Sequence, residues 1–184
     1  MDYAILQWIR ETLWNGVTCA FFPFVSTLGN GGAVWFAIAA VLLCVRSTRR
    51  AGALMILALA VTYLVNDVTI KNLVERPRPF ADHPELTLLI PPPGGFSFPS
   101  GHSASSFAAA SVLFWEKRRP IGVCAIVLAA LIAFSRAFLC VHYPSDVLAG
   151  SLIGFALGIA CVFLARRYLP PKEAGKALTE PNQE

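Results

Sequence analysis

The chain has 184 residues, of which 56% are hydrophobic and only 14% are charged. Soluble globular domains carry about 25% charged residues, so the composition excludes an ordinary soluble domain and indicates an integral membrane protein. The formal net charge of +4 is spread over short segments between apolar runs, which is typical of membrane topology and does not indicate a nucleic-acid partner.

The first predicted element is an amphipathic helix over residues 4–14, in which apolar residues recur at helical spacing. Trp8 and Trp14 are typical of a membrane–water interface, so we expect an interfacial helix. The apolar segment 17–32 follows, and it is interrupted by Pro23 and a glycine pair. It is either a short, partly inserted helix or a true span.

Five further apolar segments are predicted to be transmembrane helices. They cover residues 33–45, 51–66, 103–115, 121–134 and 147–165. Several are shorter than the roughly 20 residues that a span needs, so their polar ends must complete the crossing. The segment 80–99 contains five prolines and two glycines and is predicted to be a loop.

The sequence thus predicts an all-α integral membrane protein, a bundle of five transmembrane helices preceded by an interfacial or partly inserted helical segment. A single membrane-embedded domain covers residues 1–169. Residues 170–184 form a polar tail that is predicted to be cytoplasmic and disordered.

The basic residues predict the orientation of the bundle. Ten of the fifteen Lys and Arg residues fall on one face if the five predicted spans alternate in direction. These ten are Arg46, Arg49, Arg50, Lys117, Arg118, Arg119, Arg166, Arg167, Lys172 and Lys176. The positive-inside rule makes that face cytoplasmic, together with the C-terminus.

Small residues predict how the last span packs. Gly150, Gly154 and Gly158 recur every four residues and permit another helix to approach closely. We expect them to pack within the monomer rather than along a dimer seam. The five cysteines lie mostly in apolar runs and are interpreted as packing residues, without a metal or disulfide role.

Polar residues from three distant segments share the opposite membrane face. They are Lys71, Arg76 and Arg78 after the second span, Ser100, Gly101 and His102 at the start of the third, and Arg136, His142 and Asp146 between the fourth and fifth. Ionisable side chains at a membrane are costly, so such a cluster indicates a functional site. Converging cations repel one another unless an anion lies between them, and Arg and Lys donors suit a phosphate. The Ser100 hydroxyl and backbone N–H groups at the start of a helix near Gly101 can add donors.

The histidines predict phosphate transfer. His142 is expected to attack phosphorus, because Asp146 lies four residues later and can fix its tautomer and stabilise the developing positive charge. Pro144 is compatible with this spacing if it lies in a first helical turn. His102 is expected to protonate the departing oxygen.

These motifs resemble the three-part signature of the type 2 phosphatidic acid phosphatase superfamily. The matching residues are Lys71-x6-Arg78-Pro79, then Pro99-Ser100-Gly101-His102, then Ser135-Arg136-x5-His142-x3-Asp146. The resemblance implies that Lys71, Arg78 and Arg136 bind the phosphoryl oxygens with help from Ser100 and Gly101. It also implies a phosphohistidine on His142, and neither a metal ion nor another cofactor.

The short chain and an extracytoplasmic site look most like the bacterial undecaprenyl-diphosphatase branch, which implies a bacterial inner membrane. Relatives acting on phosphatidylglycerophosphate, phosphatidic acid or other prenyl phosphates share the signature. With any of these substrates, the partner is a lipid phosphate or diphosphate in the membrane. The sequence leaves the oligomeric state open.

Two other functions use the same residues. A vanadate-dependent haloperoxidase could hold vanadate in this site, but the related haloperoxidases are soluble. A non-enzymatic lipid-phosphate transporter or scaffold would need the cations but not the two histidines.

Several residues outside the signature have alternative interpretations. Asp67 is expected to pair with Lys71, four residues later. Arg76 could widen a diphosphate site or bind lipid head groups. His83 and the loop carboxylates are interpreted as solvated residues rather than metal ligands. Three loop phenylalanines line either a lipid entrance or an interfacial belt, namely Phe80, Phe96 and Phe98.

Overall fold

The computed structural model describes residues 1–117 and 119–169, so the predicted tail 170–184 lies outside the described residues. Within the described ranges the regular structure is entirely helical, as the sequence predicts. The helices are α1 Asp2–Leu13, α2 Gly16–Leu28, α3 Ala33–Cys44, α4 Arg49–Thr62, α5 Lys71–Val74, α6 Pro79–Asp82, α7 Gly101–Glu116, α8 Arg119–Phe138 and α9 Pro144–Tyr168. A π-helical segment, Tyr63–Ile70, joins α4 to α5.

Helix α7 is the centre of the bundle and packs against α4, α8 and α9. Its inward faces consist of small residues, including the buried run Ala108–Ser111. Helix α9 contributes the three glycines that the sequence predicts to be a packing face. A Cβ at Gly154 would lie 2.0 Å from the Ala104 carbonyl oxygen, and one at Gly150 would lie 2.4 Å from the Ser100 carbonyl oxygen. The two helices approach so closely because both lack bulk, and the prediction of packing within the monomer is confirmed.

The apolar helices differ in how they could cross a membrane. Among the described residues, three segments are each long and apolar enough: Arg49–Asp82, Arg119–Phe138 and Pro144–Tyr168. Helices α2 and α3 meet that standard together, as a pair bent by 48°. The bend lies at the predicted glycine interruption, where Gly31 and Gly32 have φ of 57° and 73° and glycine avoids the steric cost of a left-handed backbone. The central helix α7 has 16 residues, so the predicted count of five spans is approximate.

Helix α1 lies across the end of the bundle that carries the predicted site residues. Leu6 and Ile9 are buried in an apolar cluster with Leu86 of the proline-rich loop and with Phe138 at the end of α8. Trp8 is 56% exposed, on the other side of α1. The helix therefore covers the loops of this end with its apolar face, which is the amphipathic arrangement that its sequence predicts.

Candidate active site

A cavity of about 450 Å³ opens at the N-terminal end of α7. Six of the eight predicted site residues line it, namely Lys71, Arg78, Gly101, His102, Arg136 and His142. One wall is apolar and is formed by Phe36 of α3, by Leu59 and Ala60 of α4, and by Tyr63. The three distant motifs therefore converge on one space that combines cations, two histidines and an apolar surface.

His142 lies in a tight turn between α8 and α9. The backbone N–H groups of Val141 and His142 both donate to the Arg136 carbonyl oxygen, at 3.2 and 3.3 Å. Cys140 has φ of 56°, in the left-handed region that allows the chain to reverse so quickly. The turn places the ring of His142 at the cavity while leaving it only 2% exposed.

Asp146 is fixed by the start of α9. Pro144 is the first residue of this helix, as the sequence predicts, because proline suits a first helical turn. The Oδ2 atom of Asp146 accepts from the backbone N–H of Tyr143 at 2.9 Å and from the Ser97 hydroxyl at 2.5 Å. It lies 3.7 Å from Nδ1 of His142. The carboxylate therefore faces the ring nitrogen opposite the one that faces the cavity cations.

The tautomer of His142 follows from its neighbours. Nη1 of Arg78 lies 3.2 Å from Nε2 of His142, and because a guanidinium only donates, Nε2 must accept. The ring proton is then on Nδ1, which faces Asp146 and lies 3.4 Å from the Ser97 hydroxyl oxygen. Burial lowers the pKa of His142 to about 4, and the charges of Arg78 and Arg136 act in the same direction against the opposing effect of Asp146. A neutral ring with an unprotonated Nε2 is the form of histidine that attacks an electrophile.

The three predicted phosphate-binding cations are held in different ways. Arg78 donates to the carbonyl oxygens of Gly94, Gly95 and Val141, each at 2.9 Å, which holds its guanidinium at the cavity wall. Lys71 pairs with Asp67 at 2.5 Å, and the predicted ion pair is confirmed.

Arg136 is the cation whose hydrogen bonds are least satisfied. It is 3% exposed, in the last turn of α8. Its Nη1 donates to the Ser26 hydroxyl, whereas its buried Nε has no hydrogen-bond partner among the described residues. Arg136 lines the cavity, so a cation with an unsatisfied buried donor lies at the cavity wall.

The second histidine, His102, lies in the first turn of α7. Its Nε2 lies 3.0 Å from the side-chain oxygen of Asn30, at the bend between α2 and α3. Neighbouring Gly101 allows this helix end to approach the π-helical segment, because a Cβ there would lie 2.7 Å from an Asp67 carboxylate oxygen. The backbone at Gly101 therefore faces the cavity directly.

Two residues lie differently from their sequence-based interpretations. The Ser100 hydroxyl is buried and caps α7, accepting from the backbone N–H of Ser103, and does not line the cavity. A role for Ser100 in binding phosphate stays a prediction. Arg76 also lies outside the cavity lining, and its guanidinium contacts Asp146 and Asp2. A contact between Arg76 and lipid head groups stays a prediction.

Two residues that contact the site, Asn30 and Ser97, were not predicted from the sequence. Asn30 is a polar residue inside a long apolar run, and this contrast was the available signal. Ser97 lies three residues before Ser100 in a loop of ordinary turn composition, so nothing local distinguished it. Both become recognisable only when the fold places them against His102 and Asp146.

Within residues 1–117 and 119–169, no group of three or more His, Cys, Asp or Glu side chains is arranged to hold a metal ion. Of the three loop carboxylates Glu75, Asp82 and Glu85, two accept hydrogen bonds from tyrosines: Tyr3 donates to Glu85 and Tyr143 donates to Asp82.

Comparison with known proteins agrees with the motif assignment. Residues 51–168 match the PAP2 superfamily. The chain is 31% identical over 121 residues to an undecaprenyl-diphosphatase of Sulfolobus acidocaldarius, a match that covers 66% of this chain and 58% of the relative. It is 43% identical over 91 residues to a decaprenylphosphoryl-5-phosphoribose phosphatase of Mycobacterium tuberculosis, covering 50% of this chain and 49% of the relative. The matched regions thus span about half of these relatives' lengths.

A solved structure supports the fold and the membrane location. The structure is similar to that of a transmembrane PAP2-type phosphatidylglycerolphosphate phosphatase from Bacillus subtilis, with a TM-score of 0.74 and 26% sequence identity. The similarity covers 91% of this chain and 85% of the Bacillus protein. Together with the apolar helices, it shows an all-α, multi-pass integral membrane protein.

Proposed function

The chain belongs to the PAP2 superfamily, and on that basis we propose that it is an integral membrane lipid phosphatase acting through a phosphohistidine on His142. The observation that carries the proposal is the single cavity in which His142, His102 and three cationic side chains converge. An apolar wall beside this polar end suits a substrate with a charged phosphate and a hydrocarbon chain.

In the first step, Nε2 of His142 attacks phosphorus and the bond between phosphorus and the lipid oxygen breaks. His102 donates a proton to that departing oxygen, so the lipid leaves as an alcohol or, from a diphosphate, as a lipid monophosphate. Asp146 stabilises the positive charge that develops on His142, through the Nδ1 proton.

In the second step, water attacks the phosphohistidine and His102 accepts its proton. Inorganic phosphate and neutral His142 are released. Lys71, Arg78 and Arg136 stabilise the negative charge on the phosphoryl oxygens throughout, and backbone N–H groups at Gly101 add donors at the start of α7. Three fixed cations supply the charge stabilisation that a metal ion supplies in other phosphatases, which supports metal-independent hydrolysis.

Among lipid substrates, undecaprenyl diphosphate is favoured. The name of the Sulfolobus relative supports a polyprenyl diphosphate, whereas the Mycobacterium and Bacillus proteins carry the names of two other phosphatases. The tail-binding surface is the apolar cavity wall, which lies outside the signature motifs. Recycling of a cell-wall lipid carrier is the corresponding cellular role.

The proposed orientation places the cavity on the extracytoplasmic face of a bacterial inner membrane, with the C-terminus in the cytoplasm. The support is the clustering of basic residues at the opposite ends of the helices. A green fluorescent protein fused to the C-terminus should fluoresce, since it folds in the cytoplasm. If the C-terminal fusion does not fluoresce, while a reporter that is active only in the periplasm is active at the same position, the orientation is opposite to the proposed one.

The direct test is phosphate release by the purified protein in detergent, with undecaprenyl diphosphate, phosphatidylglycerophosphate and phosphatidic acid compared by kcat/KM. We expect release from at least one lipid, the highest kcat/KM for undecaprenyl diphosphate, and loss of activity in His142→Ala. No release from any of the three, or activity unchanged in His142→Ala, would overturn the proposal. A higher kcat/KM for another lipid would overturn only the substrate assignment.

A further inference from the structure

Arg76 forms hydrogen bonds with both residues that face Nδ1 of His142, namely Asp146 and Ser97, although Arg76 does not line the cavity. Its Nη1 donates to Oδ1 of Asp146 at 2.6 Å, while Oδ2 of the same carboxylate faces His142. Its backbone carbonyl oxygen accepts from the N–H of Ser97 at 2.8 Å, and the Ser97 hydroxyl then bonds Asp146. The side chain and main chain of one residue thus fix the two groups that face Nδ1.

The orientation of Asp146 depends on this contact. The carboxylate is completely buried, and its Oδ2 already accepts from Ser97 and from the Tyr143 backbone. Oδ1 accepts from Arg76, with a geometry typical of a charge-assisted hydrogen bond. The guanidinium carbon also lies 4.0 Å from the centroid of the Tyr143 ring, next to His142 in the chain. Without Arg76, the Oδ1 side of the carboxylate loses its charged partner.

Arg76 is itself held by α1. Its Nη2 donates to Oδ2 of Asp2 at 2.9 Å, and Asp2 also accepts from the Ser145 hydroxyl at 2.5 Å. Ser145 is also within 2.8 Å of Arg76 Nη1. Asp2, the first residue of α1, thus connects to Asp146 through the guanidinium of Arg76.

We propose that Arg76 and Asp2 are positioning residues for His142, acting through Asp146, and that docking of α1 is therefore part of the catalytic arrangement. This inference rests on the proposed phosphatase function. Neither residue touches the substrate, so their loss should lower kcat while leaving KM within about threefold.

The experiment measures kcat and KM for Arg76→Ala, Asp2→Asn and the double variant. The concentration of active sites in each preparation is measured from the burst of phosphoenzyme formation, so that kcat is given per active site. Removing an outer partner of a catalytic group lowers activity by about 10–100-fold in other sites, and we expect this for Arg76→Ala. Asp2→Asn leaves Asp146 paired and should fold even if Arg76→Ala does not, and we expect a smaller loss of about three- to tenfold. Because Asp2 acts through Arg76, Asp2→Asn should add no further loss in the Arg76→Ala background.

A matched control is Glu85→Gln, which weakens a second attachment of α1. Tyr3 at the next position of α1 donates to Glu85 at 2.6 Å and stacks on His83, without contacting Asp146. We expect the kcat of Glu85→Gln to stay within about twofold of the wild-type kcat. An equal loss in Glu85→Gln and Asp2→Asn would contradict the proposal, because general loosening of α1 would then explain both.

Two further results separate the inference from simpler explanations. Arg76→Lys keeps the charge but not the planar fork that reaches both carboxylates, so we expect only partial recovery relative to Arg76→Ala. Full kcat in Arg76→Ala and Asp2→Asn, with an active wild type, would overturn the inference and leave the phosphatase proposal intact. An inactive wild type would instead overturn the phosphatase proposal.

Discussion

At the scale of single residues, the chemistry depends on keeping His142 neutral beside two arginines. Burial is the larger cause of its low pKa, and Asp146 opposes it without restoring the ordinary value. This downward shift of the pKa favours attack. A histidine with a lowered pKa loses its proton at a lower pH, and at every pH above its pKa the ring is mostly neutral. In the proposed mechanism, the burial and the two arginines that would bind phosphate therefore also keep His142 in its nucleophilic form.

We expect the His142 ring to remain neutral well below the usual pH range. With a pKa of about 4, the ring is about nine-tenths neutral at pH 5, whereas a histidine with a pKa of about 6.5 is almost fully protonated there. Titration of ¹⁵N-histidine-labelled protein in detergent by NMR should show a protonated Nδ1 and a bare Nε2 at pH 5. The signal is assigned by its absence in His142→Gln, and a midpoint near pH 6.5 would contradict the expectation.

Asn30 should matter for the general acid. Its side-chain oxygen is the partner of His102 Nε2, so Asn30→Ala removes the group that orients the ring. We expect kcat to fall by about tenfold with little change in KM. Asn72→Ala is the matched control, because the Asn72 amide bonds only to carbonyls of its own helical segment. Equal effects of the two substitutions would remove Asn30 from the site.

Spacing along the chain predicted some of these contacts and not others. The pairs Asp67–Lys71 and His142–Asp146 are four residues apart, so local geometry was sufficient to bring them together. Asp2 and Arg76 are 74 residues apart, with five helices and the π-helical segment between them, so their contact depends on how α1 docks. The interpretation of Arg76 stayed open for this reason, and so did the role of the N-terminal helix.

At the scale of elements, the position of the site depends on the contact between α7 and α9. Helix α7 presents Gly101 and His102 at its first turn, and α9 presents Asp146 at its own. The Ser100 backbone N–H donates to the Asp146 carbonyl oxygen at 3.0 Å, which ties the two helix starts together. Close packing along the glycine face therefore fixes the distance between the two motifs.

Gly154→Ala should destabilise the protein. A Cβ would lie 2.0 Å from the backbone carbonyl oxygen of Ala104, which cannot move without shifting α7. Overpacking of this kind costs about 1–3 kcal/mol, seen as a lower thermal unfolding midpoint in detergent. Gly16→Ala is the control, since no heavy atom lies within 4 Å of a Cβ there. A midpoint that falls no further in Gly154→Ala than in Gly16→Ala would contradict the packing account.

Hydrophobic patterning predicted the existence of the helices well, because each apolar run had charged or proline-containing ends. The predicted segments 103–115 and 147–165 correspond to Gly101–Glu116 and Pro144–Tyr168, with extra turns at their polar ends. Patterning predicted an interruption at the glycine pair, but it could predict neither the 48° angle of the bend there nor the π-helical segment. The π-helical segment places Asp67 at the cavity and leads into Lys71, and the bend places Asn30 against His102.

At the scale of the whole molecule, one end of the bundle carries the cavity and the opposite end carries most of the basic residues, with small residues packed between them. Three cations and two histidines face one cavity, and the apolar wall extends from it along α3 and α4. A lipid phosphate matches this distribution, with its charged head at the helix ends and its chain beside the apolar wall.

Hydrolysis should not require a divalent cation. Because Lys71, Arg78 and Arg136 supply the positive charge, we expect phosphate release in excess EDTA to stay within about twofold of the rate without chelator. If EDTA inhibits phosphate release and added Mg²⁺ or Zn²⁺ restores it, the enzyme requires a metal ion and the three cationic side chains are not sufficient.

The phosphohistidine intermediate is the central claim, and rapid-quench trapping with ³²P-labelled lipid phosphate tests it most directly. We predict label on the protein that is stable in base and labile in acid, forming and decaying at rates consistent with kcat, and absent in His142→Gln. Turnover of the wild type without such label, or label that persists in His142→Gln, would contradict the account.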